Sequence, residues 1–395
     1  MSKTEIPSIR FHGFDDAWEQ RKVSELFRVT RGYVLAATQT ETTKTDEKPY
    51  PVYSSQTKDK GLMGYYKDYL YEDAITWTTD GANAGTVNYR AGKFYCTNVC
   101  GVLLSNEVKA NQMIAEALDS VAKGYVSYVG NPKLMNNVMA DIVIQIPTQA
   151  EEREQLSSFF AKLDNLITLH QRKFEKLTNV KKSMLKKMFP QNGSSYPEIR
   201  FKGFTDPWEQ RKAIDIADYS KGNGYSKGDL TDAGTPIILY GRLYTKYQFA
   251  ISEVDTFAVP RNGAVYSQGN EVIVPASGET AEDIARASAV EKSGVLLGGD
   301  LNILRPFDFI NPLFLALAIS NGEPQKELAK KAQGKSVVHI HNTDIQEVTI
   351  AYPSRTEQDR IVSVFCQLDH LITLHQRELE KLQNIKKSML EKMFV

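Results

Sequence analysis

The chain has 395 residues, with 48 Lys and Arg against 48 Asp and Glu, and 42% of its residues are hydrophobic. This composition is ordinary for globular proteins and excludes collagen and a wholly disordered chain, and the length favours two or more folded units. The balanced charge is mild evidence against a nucleic-acid binder, although a local cationic surface or a partner subunit can supply the needed charge.

The most hydrophobic stretch, residues 307–319, is interrupted by Asp308, Asn311 and Pro312, so we expect no membrane-spanning helix and no membrane partner. The first residues lack the apolar core of a secretory signal. The three cysteines are an odd number with no disulfide framework. Together these features predict a cytoplasmic protein.

Two segments of the sequence are repeated. Residues 10–22 read RFHGFDDAWEQRK and residues 200–212 read RFKGFTDPWEQRK, with ten identities in thirteen positions. Residues 160–189 and 365–394 share 22 of 30 positions. The segments between the repeats, 23–145 and 213–350, do not align with each other. Each half of the chain therefore consists of a short repeated segment, a variable segment and a long repeated segment. This order indicates duplication of one module.

In chain order, the aromatic residues of the short repeat are expected to anchor an extended segment on the neighbouring globular unit or on the long helices. The first variable segment predicts a strand at 74–78, a turn at 80–85, a returning strand at 86–89, a turn at 91–93 and a helix at 111–122. The second predicts strands at 235–240, 256–260 and 271–275, and helices at 282–289 and 312–320.

Residues 151–189 contain no Gly or Pro, and their apolar side chains recur in steps of four and three, which predicts a helix of about 39 residues with a narrow heptad seam. The second copy predicts a similar helix over 357–394. Each seam needs a long partner, and the other copy supplies one, so we expect an antiparallel coiled coil that relates the halves by an approximate twofold axis. The seam residues are Leu163, Ile167, His170, Leu177, Met184, Leu368, Ile372, His375, Leu382 and Met389.

The seam histidines are expected to pack or donate hydrogen bonds. The outer face of the first helix carries several lysines, and it is either a solvated basic surface or a surface that faces phosphates or an acidic partner.

Catalytic and metal-binding motifs do not appear in the sequence. It contains no Walker-type phosphate loop, no HExxH, no GxSxG and no Asn-Pro-Pro-Tyr signature of adenine methyltransferases. His339 and His341 lack the further ligands of a metal site, and Cys96 and Cys100 have no second pair. We therefore expect a chain that catalyses nothing, binds no metal and holds no cofactor of its own.

Polar turns in both variable segments instead carry side chains suited to reading base edges or holding phosphates. For any single residue an ordinary polar turn is the alternative, and the prediction depends on clustering. The candidate DNA-binding residues are Ser54, Ser55, Gln56, Thr57, Lys58, Thr79, Asp80, Asn83, Tyr240, Arg242, Tyr244, Thr245, Lys246, Tyr247, Ser277 and Thr280.

Two dissimilar segments, each followed by the same long helix, resemble the specificity subunit of Type I restriction-modification systems over essentially the whole chain. The matching residues are 7–22 with 197–212, the run from Pro147 to Asp164 with that from Pro353 to Asp369, and the repeated Ile-Thr-Leu-His-Gln-Arg. The first copy departs locally, with Glu152-Arg153 where the second has Glu357-Gln358.

The resemblance implies a mixed α/β (α+β) fold with two globular target-recognition domains separated by a long antiparallel two-helix coiled coil, built on a pseudo-twofold internal repeat. The expected domains are 1–145 (repeat segment and first target-recognition domain), 146–192 (first long helix), 193–350 (repeat segment and second target-recognition domain) and 351–395 (second long helix).

The resemblance also implies a function. Each domain would read half of a bipartite, asymmetric double-stranded DNA target. Two methyltransferase subunits would dock and methylate adenine N6 using S-adenosylmethionine, and restriction and translocase subunits that use ATP and Mg²⁺ would join them. The main alternative is a helical scaffold that displays two protein-binding domains without reading DNA. A duplicated nuclease is a weaker alternative, because no cluster of carboxylates with Lys has usable spacing.

Overall fold

The structure, a computed structural model, describes residues 7–55, 58–334 and 337–394. The chain forms two compact units, Met1–Arg172 with Gln376–Val395, and Lys173–His375. Each unit combines residues that are distant in sequence, because parts of both long helices belong to it.

The first unit is a mixed α/β structure. Its strands are β1 (Glu19–Lys22), β2 (Phe27–Arg31), β3 (Tyr50–Tyr53), β4 (Leu62–Tyr66), β5 (Tyr71–Thr78), β6 (Val87–Cys96), β7 (Cys100–Ser105) and β8 (Val143–Ile146). Its helices are α1 (Val23–Leu26), α2 (Gln112–Ala122), α3 (Asn136–Asp141) and the first part of α4 (Ala150–Lys187). One six-stranded sheet has the order β2-β7-β5-β6-β3-β4, and β1 pairs with β8 separately. The predicted strand at 74–78 and helix at 111–122 are confirmed.

The turn predicted at 91–93 is wrong, because β6 runs through it as a bulge. The register between β5 and β6 shifts between Glu72 and Ala74, and Asp73 has a φ of 45°. The Asp73 carboxylate accepts hydrogen bonds from the Gly92 amide at 2.7 Å and from the Tyr89 hydroxyl at 3.3 Å. Burial, with the adjacent Asp73 charge, raises the pKa of Tyr89 to about 12. The Asp73 side chain of β5 therefore fixes Gly92, the glycine on which the turn prediction is based, within the bulged strand β6.

The second unit contains a different arrangement of strands. They are β9 (Glu209–Lys212), β10 (Ala217–Lys221), β11 (Leu230–Thr231), β12 (Thr235–Ile238), β13 (Ala250–Ile251), β14 (Phe257–Ala258), β15 (Tyr266–Gln268), β16 (Glu271–Pro275), β17 (Ser277–Gly278), β18 (Ser288–Val290), β19 (Ser293–Leu297), β20 (Leu301–Pro306), β21 (Val338–His339) and β22 (Thr349–Tyr352). Its helices are α5 (Arg242–Thr245), α6 (Ala281–Ile284), α7 (Pro312–Ile319), α8 (Gly322–Lys331), α9 (Asn342–Gln346) and the first part of α10 (Arg355–Met393).

Two five-stranded sheets, β10-β20-β16-β18-β13 and β11-β14-β12-β19-β15, form the body of this unit. The helix predicted at 282–289 is wrong beyond Ile284. The alanines there favour a helix by intrinsic propensity, but Ser288–Val290 forms a strand between β16 and β13, and the Ser288 hydroxyl donates to the Gln248 carbonyl at 2.6 Å. Sheet pairing overrides the local preference. The predicted strand at 271–275 and helix at 312–320 are confirmed.

The short repeat builds the same ribbon in each unit. The Glu-Gln-Arg-Lys strand β1 is antiparallel to β8, with Glu19 opposite Ile146, and β9 is antiparallel to β22, with Glu209 opposite Tyr352. A buried ion pair accompanies each ribbon. Arg10 binds Glu152 through two hydrogen bonds of 2.7 and 2.8 Å, and Arg200 binds Glu357 through two of 2.8 Å. We call these two pairs the repeat clamps.

The tryptophans of the short repeat lie in the cores, as predicted. Trp18 is 1% exposed, and its ring centroid lies 5.6 Å from that of Phe394. In the second unit the ring centroid of Trp208 lies 5.9 Å from that of Phe189, which is the repeat equivalent of Phe394. The core of the first unit therefore includes a residue from the far end of the chain.

The two long helices pack together in an antiparallel arrangement, as predicted, with the start of α4 beside the end of α10 in the first unit and the reverse in the second. In the first unit Lys386 of α10 lies 2.7 Å from Asp164 of α4. In the second unit Lys181 of α4 lies 2.5 Å from Asp369 of α10. Asp164 is the repeat equivalent of Asp369, and Lys181 is the repeat equivalent of Lys386. The same alignment of the two helices therefore produces both contacts.

The residues of the predicted seam are buried or half-buried. Leu163 is buried, and the other nine seam residues, both histidines among them, are half-buried. Several residues of the predicted basic face, such as Arg172, Lys173, Lys176 and Lys182, are exposed.

The charge cluster around Lys386 is more buried than its counterpart. Lys386 also lies 2.6 Å from Glu116, and Lys60 lies 2.9 Å from Asp164. Burial raises the pKa of Glu116 and outweighs the opposing effect of Lys386. Burial would also raise the pKa of Asp164, but hydrogen bonding to Lys386 and the Lys60 charge lower it overall.

Replacing Lys386 with Met is expected to lower the free energy of unfolding by about 3 kcal/mol, because two buried carboxylates lose their shared cation. Lys181→Met is the matched control and is expected to lower it by less than about 1 kcal/mol, since that pair is more exposed. Denaturant unfolding measures both changes.

The loss in Lys386→Met should be greater at about pH 7.5 than at about pH 5. Without Lys386 the folded-state pKa values of Glu116 and Asp164 rise, so the folded state binds more protons than the unfolded chain, and its stability falls as the pH rises. A loss that is equal at both pH values, or equal in the two variants, would contradict the described charge cluster.

Candidate nucleic-acid interface

A concave pocket in the first unit has a volume of about 240 Å³, and we call it the recognition pocket. It is lined by Ser54, Lys60, Gly61, Thr76, Trp77, Thr78, Asn83, Thr86, Asn88, Arg90 and Cys100. The described residues of the lining include hydroxyls, amides and two cations but no acidic residue. Such a surface presents hydrogen-bond donors and positive charge to a ligand.

Strand alternation places most of these residues on one sheet face. Thr76 and Thr78 are two apart on β5, and Asn88 and Arg90 are two apart on β6, where Thr76 pairs with Asn88. Because alternate side chains of a strand point to the same face, these polar residues point to one side. The neighbouring Ile75 belongs to the main core of the unit, which therefore lies on the opposite face.

Arg90 is the most unusual residue of the pocket because its side chain is charged and buried, at 7% exposure. Its Nε donates to the Thr76 hydroxyl at 3.0 Å and its Nη2 to the Lys60 carbonyl at 2.7 Å. The guanidinium also stacks 3.7 Å from the centre of the Tyr53 ring. Burial lowers the pKa of Arg90.

Two of the candidate residues of the first variable segment line this pocket. Ser54 and Asn83 line it, and the Asn83 amide donates to the Ser55 carbonyl at 3.1 Å. Thr79 is buried, and its hydroxyl lies within hydrogen-bond distance of Asp80 and of the Val99 carbonyl. Gln56 and Thr57 lie outside the described residues, as does the side chain of Lys58.

A hairpin lies beside the candidate turn. Ser127 pairs with Lys133, and Lys133 also forms a bridge with Asp80, with 3.8 Å between the charged groups. The tip of the hairpin carries Tyr128 at 69% exposure and Val129 at 93% exposure. The pocket rim and this hairpin give the first unit a surface of exposed polar and aromatic groups.

In the second unit several of the candidates are engaged in hydrogen bonds with neighbouring residues of that unit. Tyr244 donates to the Ser277 carbonyl at 2.8 Å, and the Ser277 hydroxyl lies 3.1 Å from His339 Nδ1. The Tyr247 hydroxyl lies 3.2 Å from the Ala287 carbonyl. Thr245 donates to the Gly241 carbonyl at 3.1 Å.

Thr280 caps α6, because its hydroxyl accepts the Asp283 amide at 3.0 Å. Tyr240, at 38% exposure, keeps its ring near the surface.

Arg242 is occupied by neighbours within its own unit. Its guanidinium donates to Asp255 at 2.6 Å, to Gln248 at 3.1 Å and to the Glu253 carbonyl at 2.9 Å, and its side chain is 9% exposed. Lys246 contacts the same Asp255 at 2.6 Å but is 54% exposed. Hydrogen bonds from Lys246 and Arg242 lower the pKa of Asp255 to about 2. In this arrangement Arg242 fixes the position of residues 248–255, which flank and include β13.

Sequence reasoning missed Arg90, Lys60 and the repeat clamps. The alternation of Thr76 and Thr78 in one predicted strand and of Asn88 and Arg90 at the end of the next is the signal that could have identified the pocket. The clamps could have been proposed from the equal placement of Arg10 and Arg200 in the repeats, but their acidic partners lie more than a hundred residues away.

Among the described residues no helix is long and apolar enough to cross a bilayer. The same part of the chain contains no group of three or more His, Cys, Asp or Glu residues placed to hold a metal ion.

The sequence matches the family described as Type I restriction modification DNA specificity domain over residues 15–179 and 205–384. A putative type I specificity subunit of Mycoplasma pneumoniae, S.MpnORF289P N-terminus, is 37% identical over 32% of this chain and 68% of the relative. Another, S.MpnORF507P, is 33% identical over 37% of this chain and 39% of its own length. The next two relatives from that organism are covered over 53% and 65% of their length, less than two thirds.

The MjaVIII specificity subunit of Methanocaldococcus jannaschii is 20% identical over 94% of this chain and 91% of the relative. The crystal structure of a Type I restriction-modification S subunit from M. genitalium aligns over 99% of both chains with a TM-score of 0.69 and 14% identity, a likeness of fold. With the family match covering most of both repeats, the chain belongs to the Type I restriction-modification DNA specificity family, whose members are non-catalytic DNA-recognition subunits.

Proposed function

We propose that the chain reads a bipartite, asymmetric sequence in double-stranded DNA, with one half of the target assigned to each unit. The duplicated scaffold is the observation that carries this proposal. The same ribbon, the same repeat clamp and the same Asp–Lys register occur in both units, whereas the sheets between them differ. A repeated support with unlike readers suits a target whose two halves differ.

Exposed leucines support docking of two copies of one partner. Leu166 and Leu169 on α4 are each 45% exposed, and their repeat equivalents Leu371 and Leu374 on α10 are 40% and 44% exposed. Equivalent apolar positions offer the same contact twice. We propose methyltransferase subunits as that partner.

The methyltransferases would bring S-adenosylmethionine, and restriction and translocase subunits that use ATP and Mg²⁺ would join the assembly. The cytoplasm, where the cell's DNA and the reducing conditions coincide, is the proposed location.

DNA contacts of the first unit are proposed at the recognition pocket and at the neighbouring hairpin tip, with Ser54, Asn83 and Tyr128 as contact residues. In the second unit we propose Tyr240 and Lys246, whose side chains reach the surface. Arg242, Tyr244 and Ser277 then act by fixing the loops that present them.

Selection of bound duplexes from a random pool by the full chain with its methyltransferase tests this proposal. The expected product is a motif of two different short blocks separated by a fixed number of unspecified base pairs. Binding without any enriched motif would support the alternative scaffold that does not read DNA, and a palindromic motif would contradict two unlike readers.

The contacts of Arg242 predict an effect on stability. Arg242→Ala should lower the free energy of unfolding by about 2 kcal/mol, because Gln248 and the Glu253 carbonyl lose their donor and Asp255 keeps only Lys246. Lys246→Ala should lower it by less than about 1 kcal/mol, since Lys246 is largely exposed. Tyr240→Ala should leave stability unchanged and weaken DNA binding by about 1 kcal/mol.

Thermal unfolding and duplex binding distinguish these roles. If Arg242→Ala relaxed the preference at one base pair without affecting stability, Arg242 would be a base reader and the loop-fixing assignment would fail.

A further inference from the structure

Arg90 carries a buried positive charge that the described residues do not neutralise. Its hydrogen-bond acceptors are the Thr76 hydroxyl and the Lys60 carbonyl, both uncharged. None of the described carboxylates forms an ion pair with it, and its interaction with Tyr53 involves an uncharged side chain. Burying an ion without a counter-charge is unfavourable, and an arginine does not escape by losing its proton.

The other ionisable groups of the pocket leave this charge in place. The Lys60 amine is 2.9 Å from Asp164 and so already has a partner outside the pocket. Burial raises the pKa of Cys100 to about 11, so its thiol is neutral at physiological pH. Tyr53 offers the face of its ring, which attracts a cation but carries no net charge. A cation without a counter-charge among the described residues therefore lines a cavity of about 240 Å³.

The rest of the lining suits an anion with several oxygen atoms. Ser54, Thr78, Asn83 and Asn88 offer neutral hydroxyl and amide groups around the same cavity. Phosphate oxygens are bound in proteins by arginine together with such donors. A two-bond contact with a guanine edge would need two free donors on the arginine. Nε and Nη2 of Arg90 are already engaged, which leaves mainly Nη1 to donate.

We propose that the recognition pocket is an anion site that takes a backbone phosphate of the bound DNA through Arg90. That the phosphate belongs to DNA rests on the proposed function, whereas the anion site itself rests on the pocket alone. Arg90 thereby fixes the position of the first unit along the duplex, and base reading is left to the residues on the rim.

Inorganic phosphate is the first probe, used with the full chain. Sodium phosphate should raise the unfolding temperature above that in sodium chloride of the same ionic strength, with saturation that indicates one site. Arg90→Gln should abolish the saturable part. Arg28→Gln, an exposed arginine of β2 in the same unit, is the matched control and should keep it.

Asn88→Asp is a second test, which remains informative if the Arg90 variant does not fold. The substitution is isosteric and adds a carboxylate to the pocket lining, where it can neutralise Arg90. The variant should remain folded and lose the response to phosphate. A response that is retained in Asn88→Asp or in folded Arg90→Gln would overturn the anion site.

Duplex DNA is the second probe. Arg90→Gln should lower the affinity for the preferred duplex and for random duplexes by the same factor, on the order of tenfold. The slope of log affinity against log salt should fall by about 0.9, the value for one phosphate contact. A loss confined to the preferred sequence, with an unchanged slope, would show that Arg90 reads a base and would overturn the proposal.

The two probes separate the proposals. Phosphate binding through Arg90 in a chain that binds no duplex would support the anion site and refute the proposed function. Sequence-specific DNA binding that does not depend on Arg90 would support the proposed function and refute the anion site.

Discussion

The pairing of α4 with α10 is the interaction on which both units depend. Each helix has a narrow apolar seam, and such a helix gains stability only when a partner covers the seam. Each unit contains part of each helix, and the core around Trp18 includes Phe394 from the end of the chain. The first unit therefore cannot complete its core until the second long helix has been made. The Asp164–Lys386 and Asp369–Lys181 contacts fix the register of that pairing.

The repeat clamps explain how the variable segments can diverge while the scaffold stays constant. Glu152 and Glu357 are 0% and 1% exposed, and each accepts a two-bond contact from an arginine of the short repeat. A buried carboxylate with its arginine removed is strongly destabilising, so the pair holds the chain entry and the helix start together. The chain between those points is then free to form a six-stranded sheet in one unit and two five-stranded sheets in the other.

The long helices, the helices at 112–122 and 312–319 and the anchoring tryptophans were predictable because local periodicity and repetition encode them. The predicted boundaries of the long helix at 151–189 differ from the observed Ala150–Lys187 by one or two residues. The site was less predictable, since it depends on contacts between distant residues. Arg242 belongs to a promising cationic turn in the sequence, yet three acceptors occupy its guanidinium. Arg90 has an unremarkable sequence context, and only the sheet brings it beside Ser54 and Asn83. The bulge at Asp73 and the strand at 288–290 show tertiary pairing overriding local preference in the same way.

The claim that two independent readers share one scaffold is tested most directly by exchanging residues 213–348 for the corresponding segment of a relative and determining the bound DNA motif. This exchange keeps β9, β22 and both long helices. The account predicts that one block of the motif changes, while the other block and the separation between them stay the same. A change in both blocks, or a new separation, would contradict it.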